Sequence, residues 1–229
     1  MEKIYNFEFD GREAIVIVPE NANGEWIWKT EFLYAFDQAE RALLEEGYTR
    51  VYYTVSNRFG SSESIRLMHN FYRYVIREFK LKEKCHLFGF SRGGLYAFNF
   101  ALFYPEYVAS VYLDAPVLDL KSWPPEDSWD QEMLFKEYSL NKETFAQYKG
   151  NPVDKLQDFF ALNIPLLVVA GAMDELVPLS ESSEILLNYC KEHSISVESI
   201  IKPTCGHHPH SLEGVKPIVD FIKKYSLCK

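Results

Sequence analysis

Leu87-Phe88-Gly89-Phe90-Ser91-Arg92-Gly93-Gly94-Leu95 is the stretch on which the fold turns. It begins in an apolar run, Cys85 to Phe90, that is too short for a helix and reads as a buried strand. From Ser91 to Tyr104 apolar residues recur at helical spacing until Pro105 stops them. Ser91 therefore stands in G-x-S-x-G at a strand-to-helix bend, where a nucleophile is held in a strained backbone conformation. Its flanking glycines are expected because a Cβ there would collide with the adjoining strand or helix. The bend also aims the first amides of the helix at a reacting carbonyl, which makes the Arg92 N–H the first candidate donor to an oxyanion. The plain alternative is that Ser91 only caps its helix, a common task for serine.

Working outward, strands and helices alternate. Tyr5 to Phe9 and Glu13 to Val18 alternate apolar and polar residues around Asp10-Gly11, which predicts an opening antiparallel hairpin. After Pro19 the segment to Gly24 reads as a loop, and Phe32 to Leu44 as a helix stopped by Gly47. Val51 to Val55 is a strand, and Ile65 to Phe79 places seven apolar residues on one helical face. Further strands are expected at Val108 to Leu113, Leu166 to Ala170 and Val197 to Ile201, with amphipathic helices at Leu179 to His193 and Val215 to Tyr225. Such alternation predicts a mostly parallel sheet covered on both faces by helices. About fifty residues separate Asp114 from Pro165, too many for an ordinary loop. With Trp123, Pro124, Pro125, Trp129 and two weak helical patterns, this stretch is read as a small helical cap inserted at about 118–162.

A chain of 229 residues suits a single core, and 47% hydrophobic residues suit a packed one. The net charge of -9 argues against nucleic acid or an anionic membrane as partner. No segment has membrane-spanning length, and Met1 to Asp10 lacks the apolar run of a secretory signal. Cys85, Cys190, Cys205 and Cys228 form no CxxC pair, so reduced thiols and a cytoplasmic location are expected.

A serine hydroxyl needs a base, and the base needs a carboxylate to hold its tautomer. The histidines after Ser91 are His193, His207, His208 and His210. His193 ends an amphipathic helix. The other three share Cys205-Gly206-His207-His208-Pro209-His210, a loop between the last strand and the last helix. His207, following the turn-permitting Gly206, is the expected base, with His208 the close alternative. A metal reading of the cluster is set aside, because its histidines are not at i, i+4 and lack an acidic or thiolate partner at metalloprotease spacing. Asp174, just beyond the Leu166 to Ala170 strand, is the expected acid; Asp114 at the end of an earlier strand is the alternative. A second oxyanion donor is expected between Pro19 and Trp28, with Trp26 the choice, although no HGGG-type loop occurs there. Trp28 and Trp123 are candidate substrate walls that would serve equally as packing.

Gly89 to Gly93, Asp174 and Gly206-His207 together resemble the α/β-hydrolase superfamily in order, spacing and context, over nearly the whole chain. More narrowly, Ser91 to Leu95, Asp114 to Asp119 with Ser122-Trp123-Pro124, and Gly206 to Leu212 look like a group of small bacterial esterase-like hydrolases. The resemblance implies an α/β-hydrolase fold and a serine hydrolase that needs no cofactor and no metal. The expected substrate is a small-molecule ester, including an acyl-decorated carbohydrate. A small peptidase or amidase of the same fold and an inactive binding protein are the competing readings.

Overall fold

The computed structural model describes residues 2–226. Among these, eight strands form one sheet: β1 (Lys3–Phe9), β2 (Arg12–Val18), β3 (Trp26–Lys29), β4 (Thr49–Tyr53), β5 (Cys85–Phe90), β6 (Val108–Asp114), β7 (Leu166–Gly171) and β8 (Glu198–Lys202). Their order across the sheet is β1-β2-β4-β3-β5-β6-β7-β8. The β1–β2 hairpin and the β2–β4 pair are antiparallel and every later pair is parallel. This is the α/β-hydrolase fold, a mostly parallel sheet with an antiparallel N-terminal hairpin.

Among the described residues, eight α-helices surround the sheet: α1 (Gln38–Glu45), α2 (Ser62–Glu78), α3 (Gly93–Phe103), α4 (Trp129–Tyr138), α5 (Lys142–Ala146), α6 (Leu156–Ala161), α7 (Ser183–Glu192) and α8 (Lys216–Lys224). Because successive strand residues point to opposite faces, the core divides in two. Ile27, Phe88, Phe90, Leu167 and Val169 pack with Ala39 and Leu43 of α1 and with Ile218, Phe221 and Ile222 of α8. Trp26, Trp28, Leu87 and Val168 turn the other way, onto α2, α3, α6 and α7. β5 and α3 are buried along almost their whole length, as central elements must be when both faces or the full circumference are covered.

Strand β3 is the main departure from expectation. Trp26 to Lys29 belongs to the centre of the sheet, between β4 and β5, rather than to a loop. Trp26 and Trp28 are both fully buried and stack on each other at 5.7 Å. Trp28 also meets the edges of Phe71 and Phe100, and Trp26 Nε1 donates to the Lys82 carbonyl at 2.9 Å. Emptying such a site costs about 3 to 5 kcal/mol, so these tryptophans are core. The helix expected from Phe32 starts only at Gln38; before it Phe32 and Phe36 adopt left-handed φ values of 56° and 50°.

Between β6 and β7 lie α4, α5, a 3-10 turn (Pro152–Lys155) and α6. Ser128 and Asn141 cap α4 and α5 with their side chains, which explains two helices in a stretch of weak periodicity. Glu137 of α4 accepts from Arg58 and Ser61, and Tyr138 donates to the Phe59 carbonyl, so α4 is tied to the loop after β4. Phe159 of α6 stacks on Phe98 of α3 at 4.3 Å, so that end of the insertion belongs to the packed body. Trp123 is partly buried against the main core, with Phe59 6.1 Å away, a packing position.

Candidate active site

Ser91 follows β5 directly, with φ of 50°, a left-handed value that a non-glycine residue holds only under constraint. The constraint is hydrogen bonding on both sides of the bend. Its amide donates to the Asp114 carbonyl at 2.9 Å, and its carbonyl accepts from Val117 and Gly94, each at 2.9 Å. Crowding accounts for the glycines. A Cβ on Gly89 would lie 2.8 Å from Ala97 Cβ, and one on Gly93 would lie 2.9 Å from Thr30 Oγ1.

His207 Nε2 lies 3.0 Å from Ser91 Oγ, and His207 Nδ1 lies 2.7 Å from Asp174 Oδ2. All three residues are buried. Asp174 sits in the turn after β7, where its other oxygen accepts the Leu176 and Val177 amides at 2.9 and 2.8 Å. Those bonds hold the carboxylate toward the imidazole. The two alternatives go elsewhere. His208 is exposed and stacks on Phe36, while Asp114 pairs with His210 at 2.9 Å. His193 caps the end of α7 and its Nδ1 bonds the Tyr189 carbonyl.

Gly206 does not supply the turn expected of it: its φ is not positive and a Cβ there would meet only the Met173 carbonyl, at 3.5 Å. The glycine that admits the histidine loop is Gly171 at the end of β7, where a Cβ would stand 2.3 Å from the carbonyls of Cys205 and Gly206.

Arg92 begins α3 next to Ser91, and its amide has no acceptor among the described residues. Trp26 cannot be its counterpart, because it lies at the start of β3, whereas Ser91 stands beyond the C-terminal end of neighbouring β5. The segment that leaves β3 at the correct end is Thr30-Glu31-Phe32. Thr30 is tied to this corner by its amide on the Phe88 carbonyl and its hydroxyl on the Gly93 carbonyl, at 3.0 and 2.8 Å. The amides of Glu31 and Phe32 have no acceptor among the described residues, and Glu31 N lies 3.6 Å from the Gly93 Cβ position. Sequence reasoning missed this pair because β3 itself was missed.

Charge is buried under the same corner. Glu31 accepts from Ser56 at 2.8 Å and from Arg92 at 3.3 Å; burial raises its pKa and the guanidinium opposes that rise. Lys29, completely buried, pairs with Glu40 and lies 3.1 Å from the centroid of the Phe90 ring. Burial lowers its pKa, against the pull of Glu40. Around the serine, Phe32, Met173 and Leu176 are exposed on the two loops that carry Glu31 and Asp174. A groove of about 830 Å³, lined in part by His69, Arg73, Glu83 and Tyr107, opens at the N-terminal ends of β5 and β6 and so faces away from Ser91.

The sequence from residue 65 to 227 matches the model of the prolyl oligopeptidase family. The chain belongs to the prolyl oligopeptidase family. It is therefore a member of a family of serine hydrolases with the α/β-hydrolase fold. No curated protein matches its sequence. Among solved structures it is similar to the acylaminoacyl peptidase of Pyrococcus horikoshii, with 16% identity and a TM-score of 0.67 over 99% of this chain and 40% of that one. It is also similar to dipeptidyl peptidase 4 of Porphyromonas gingivalis, with 13% identity and a TM-score of 0.70 over 98% of this chain and 35% of that one. The esterase Pf2001 of Pyrococcus furiosus is comparable in length: 13% identity and a TM-score of 0.65 over 98% of this chain and 93% of that one. The chain thus spans well under half of the two peptidases. At these identities the likeness establishes the fold.

Proposed function

We propose that this family member hydrolyses the ester bond of a small substrate through an acyl-enzyme on Ser91. The observation that carries the reading is the continuous hydrogen-bonded chain Ser91–His207–Asp174, with 3.0 and 2.7 Å links, at the strained bend after β5. His207 Nε2 takes the Ser91 proton as Oγ attacks the carbonyl, then returns a proton to the leaving group. Asp174 keeps Nδ1 protonated and offsets the imidazolium charge. The Arg92 amide, together with an amide of the Glu31-Phe32 turn, holds the developing oxyanion. The residues supply base, acid and donors without a cofactor.

The ester reading draws on the exposed apolar side chains of Phe32, Met173 and Leu176 beside the serine, which suit an apolar acyl or alcohol group. Peptide or amide cleavage is the second reading, favoured by the family to which the chain belongs. A fluorophosphonate probe should label the parent protein and leave Ser91→Ala unlabelled. Matched p-nitrophenyl esters and p-nitroanilides should show kcat/KM higher on the esters. Absent labelling of folded protein removes the hydrolase reading, and equal or better turnover of the anilides replaces esterase by peptidase.

A further inference from the structure

The loop that carries His207 holds more imidazole than acyl transfer needs. One ring nitrogen from each of His207, His208 and His210 lies within 4.8 Å of one from each of the others. The ring centroids are 4.8 to 5.0 Å apart. Two of the three rings are held from behind by buried carboxylates. Asp174 Oδ2 binds His207 Nδ1 at 2.7 Å, and Asp114 Oδ1 binds His210 Nδ1 at 2.9 Å. This backing fixes the tautomer and leaves the lone pair on Nε2, as the outer partners of metal-bound histidines do. His208 differs: it is exposed, and its ring forms no hydrogen bond among the described residues.

We propose that His207, His208 and His210 form a site for a borderline transition-metal ion, zinc(II) foremost, and that filling it silences the hydrolase. The silencing rests on the reading of His207 as the base for Ser91; the binding does not. Imidazole donors favour zinc, copper and nickel over magnesium or calcium. Zn–N bonds of about 2.1 Å bring tetrahedral ligands to roughly 3.4 Å from one another, so the exposed His208 ring must leave its stack on Phe36 and swing inward. The carboxylates of Asp174 and Asp114, one behind each fixed ring, compensate the charge of the ion. Inhibition follows from counting lone pairs. The one on His207 Nε2 that accepts the Ser91 proton is the one the metal takes, and it cannot serve both.

The test begins with chelator-treated full-length protein titrated with zinc against a chromophoric chelator. One zinc ion per chain is expected, with affinity reduced at least about tenfold in His208→Ala and unchanged in His193→Ala and Cys205→Ser. In parallel, zinc should slow fluorophosphonate labelling of the parent, EDTA should restore it, magnesium should have no effect, and His208→Ala should label at the same rate over the same zinc range. No stoichiometric binding, equal binding by His208→Ala, or loss of binding in Cys205→Ser overturns the site. Zinc that binds through His208 yet leaves labelling untouched overturns the competition with Ser91. A parent protein that never labels, even without zinc, sinks the hydrolase reading while the titration still decides the metal site.

Discussion

Asp114 and His210 form a buried pair, 2.9 Å from Oδ1 to Nδ1, that joins the two halves of the site. The Asp114 carbonyl accepts the Ser91 amide at 2.9 Å, fixing the bend after β5. Its carboxylate accepts from Tyr112 at 2.5 Å, from the Ser211 amide at 2.7 Å and from His210. One residue at the end of β6 thereby sets the bend at Ser91 on one side and anchors the loop of His207 on the other.

Asp114→Asn should therefore act on turnover more than on binding. The backbone bond to Ser91 survives, but the amide cannot accept from Tyr112, Ser211 and His210 together, so the histidine loop loosens. Misplacing a reacting group by about 1 Å costs up to about 100-fold. The expected outcome is a kcat lower by roughly 10- to 100-fold with KM within about twofold. Steady-state kinetics on an ester substrate check it; a rise in KM at constant kcat would mean that Asp114 contacts substrate instead.

The bend at Ser91 and the meeting of His207 and Asp174 with it were legible in the sequence because each residue sits where local signals are strong. Gly89 and Gly93 mark contacts too close for a side chain, Asp174 follows a strand read from an unbroken apolar run, and His207 lies in the loop after the strand read from Val197 to Ile201. Strand β3 was hidden for the opposite reason. Four residues long and ending in Lys29, it is followed by Thr30 and Glu31, a polar and charged stretch that reads as a solvated loop. In the fold all of them are buried, matched by Glu40 and Arg92, residues distant in sequence. Pairing of that kind is tertiary and leaves no periodicity. The loss of β3 carried Trp26 and Trp28 into the wrong role and hid the Glu31-Phe32 turn. Cys228, included among the expected reduced thiols, lies outside the described residues; Cys85, Cys190 and Cys205 are free.

Gly171→Ala tests how the histidine loop is admitted. The new methyl would stand 2.3 Å from two carbonyl oxygens of the loop, which are backbone and cannot rotate aside. Relief requires moving Cys205 and Gly206, and His207 with them. Overpacking of this kind costs about 1 to 3 kcal/mol, so a lower midpoint of chemical denaturation should accompany a loss of probe labelling. Gly206→Ala, with room for its methyl, should keep most of both.

The Arg92–Glu31 pair yields a prediction with two arms. Arg92→Met keeps the amide beside Ser91 but leaves the Glu31 carboxylate buried without its cation. Removing one partner of such a pair costs about 3 kcal/mol. Burial already favours the protonated form of Glu31, so the loss should shrink as pH falls and the stranded acid takes up a proton in the folded protein. Glu31→Gln carries no charge to strand and should be the milder change at pH 8. Denaturant midpoints of both variants at pH 5 and 8 decide the matter; equal loss at both pH values in Arg92→Met would mean that Glu31 is not its partner.

His86 sets the acid limit of the fold. Its ring is fully buried in β5, with Nδ1 on Ser110 Oγ at 2.7 Å and Nε2 on Ser226 Oγ at 3.2 Å. Burial lowers its pKa, and the Glu25 carboxylate, 3.8 Å away, opposes that without reversing it. Below the ordinary histidine value of about 6.5 the unfolded chain takes up a proton that the folded chain resists. This contribution is thus fully present above that pH and is lost as pH falls toward the lowered folded value. The loss can reach about 1.4 kcal/mol per pH unit. His86→Gln, which can still bond its serine neighbours but does not titrate, should flatten the dependence of stability on pH between 6.5 and 5. Parallel curves for parent and variant over that range would place the acid sensitivity elsewhere.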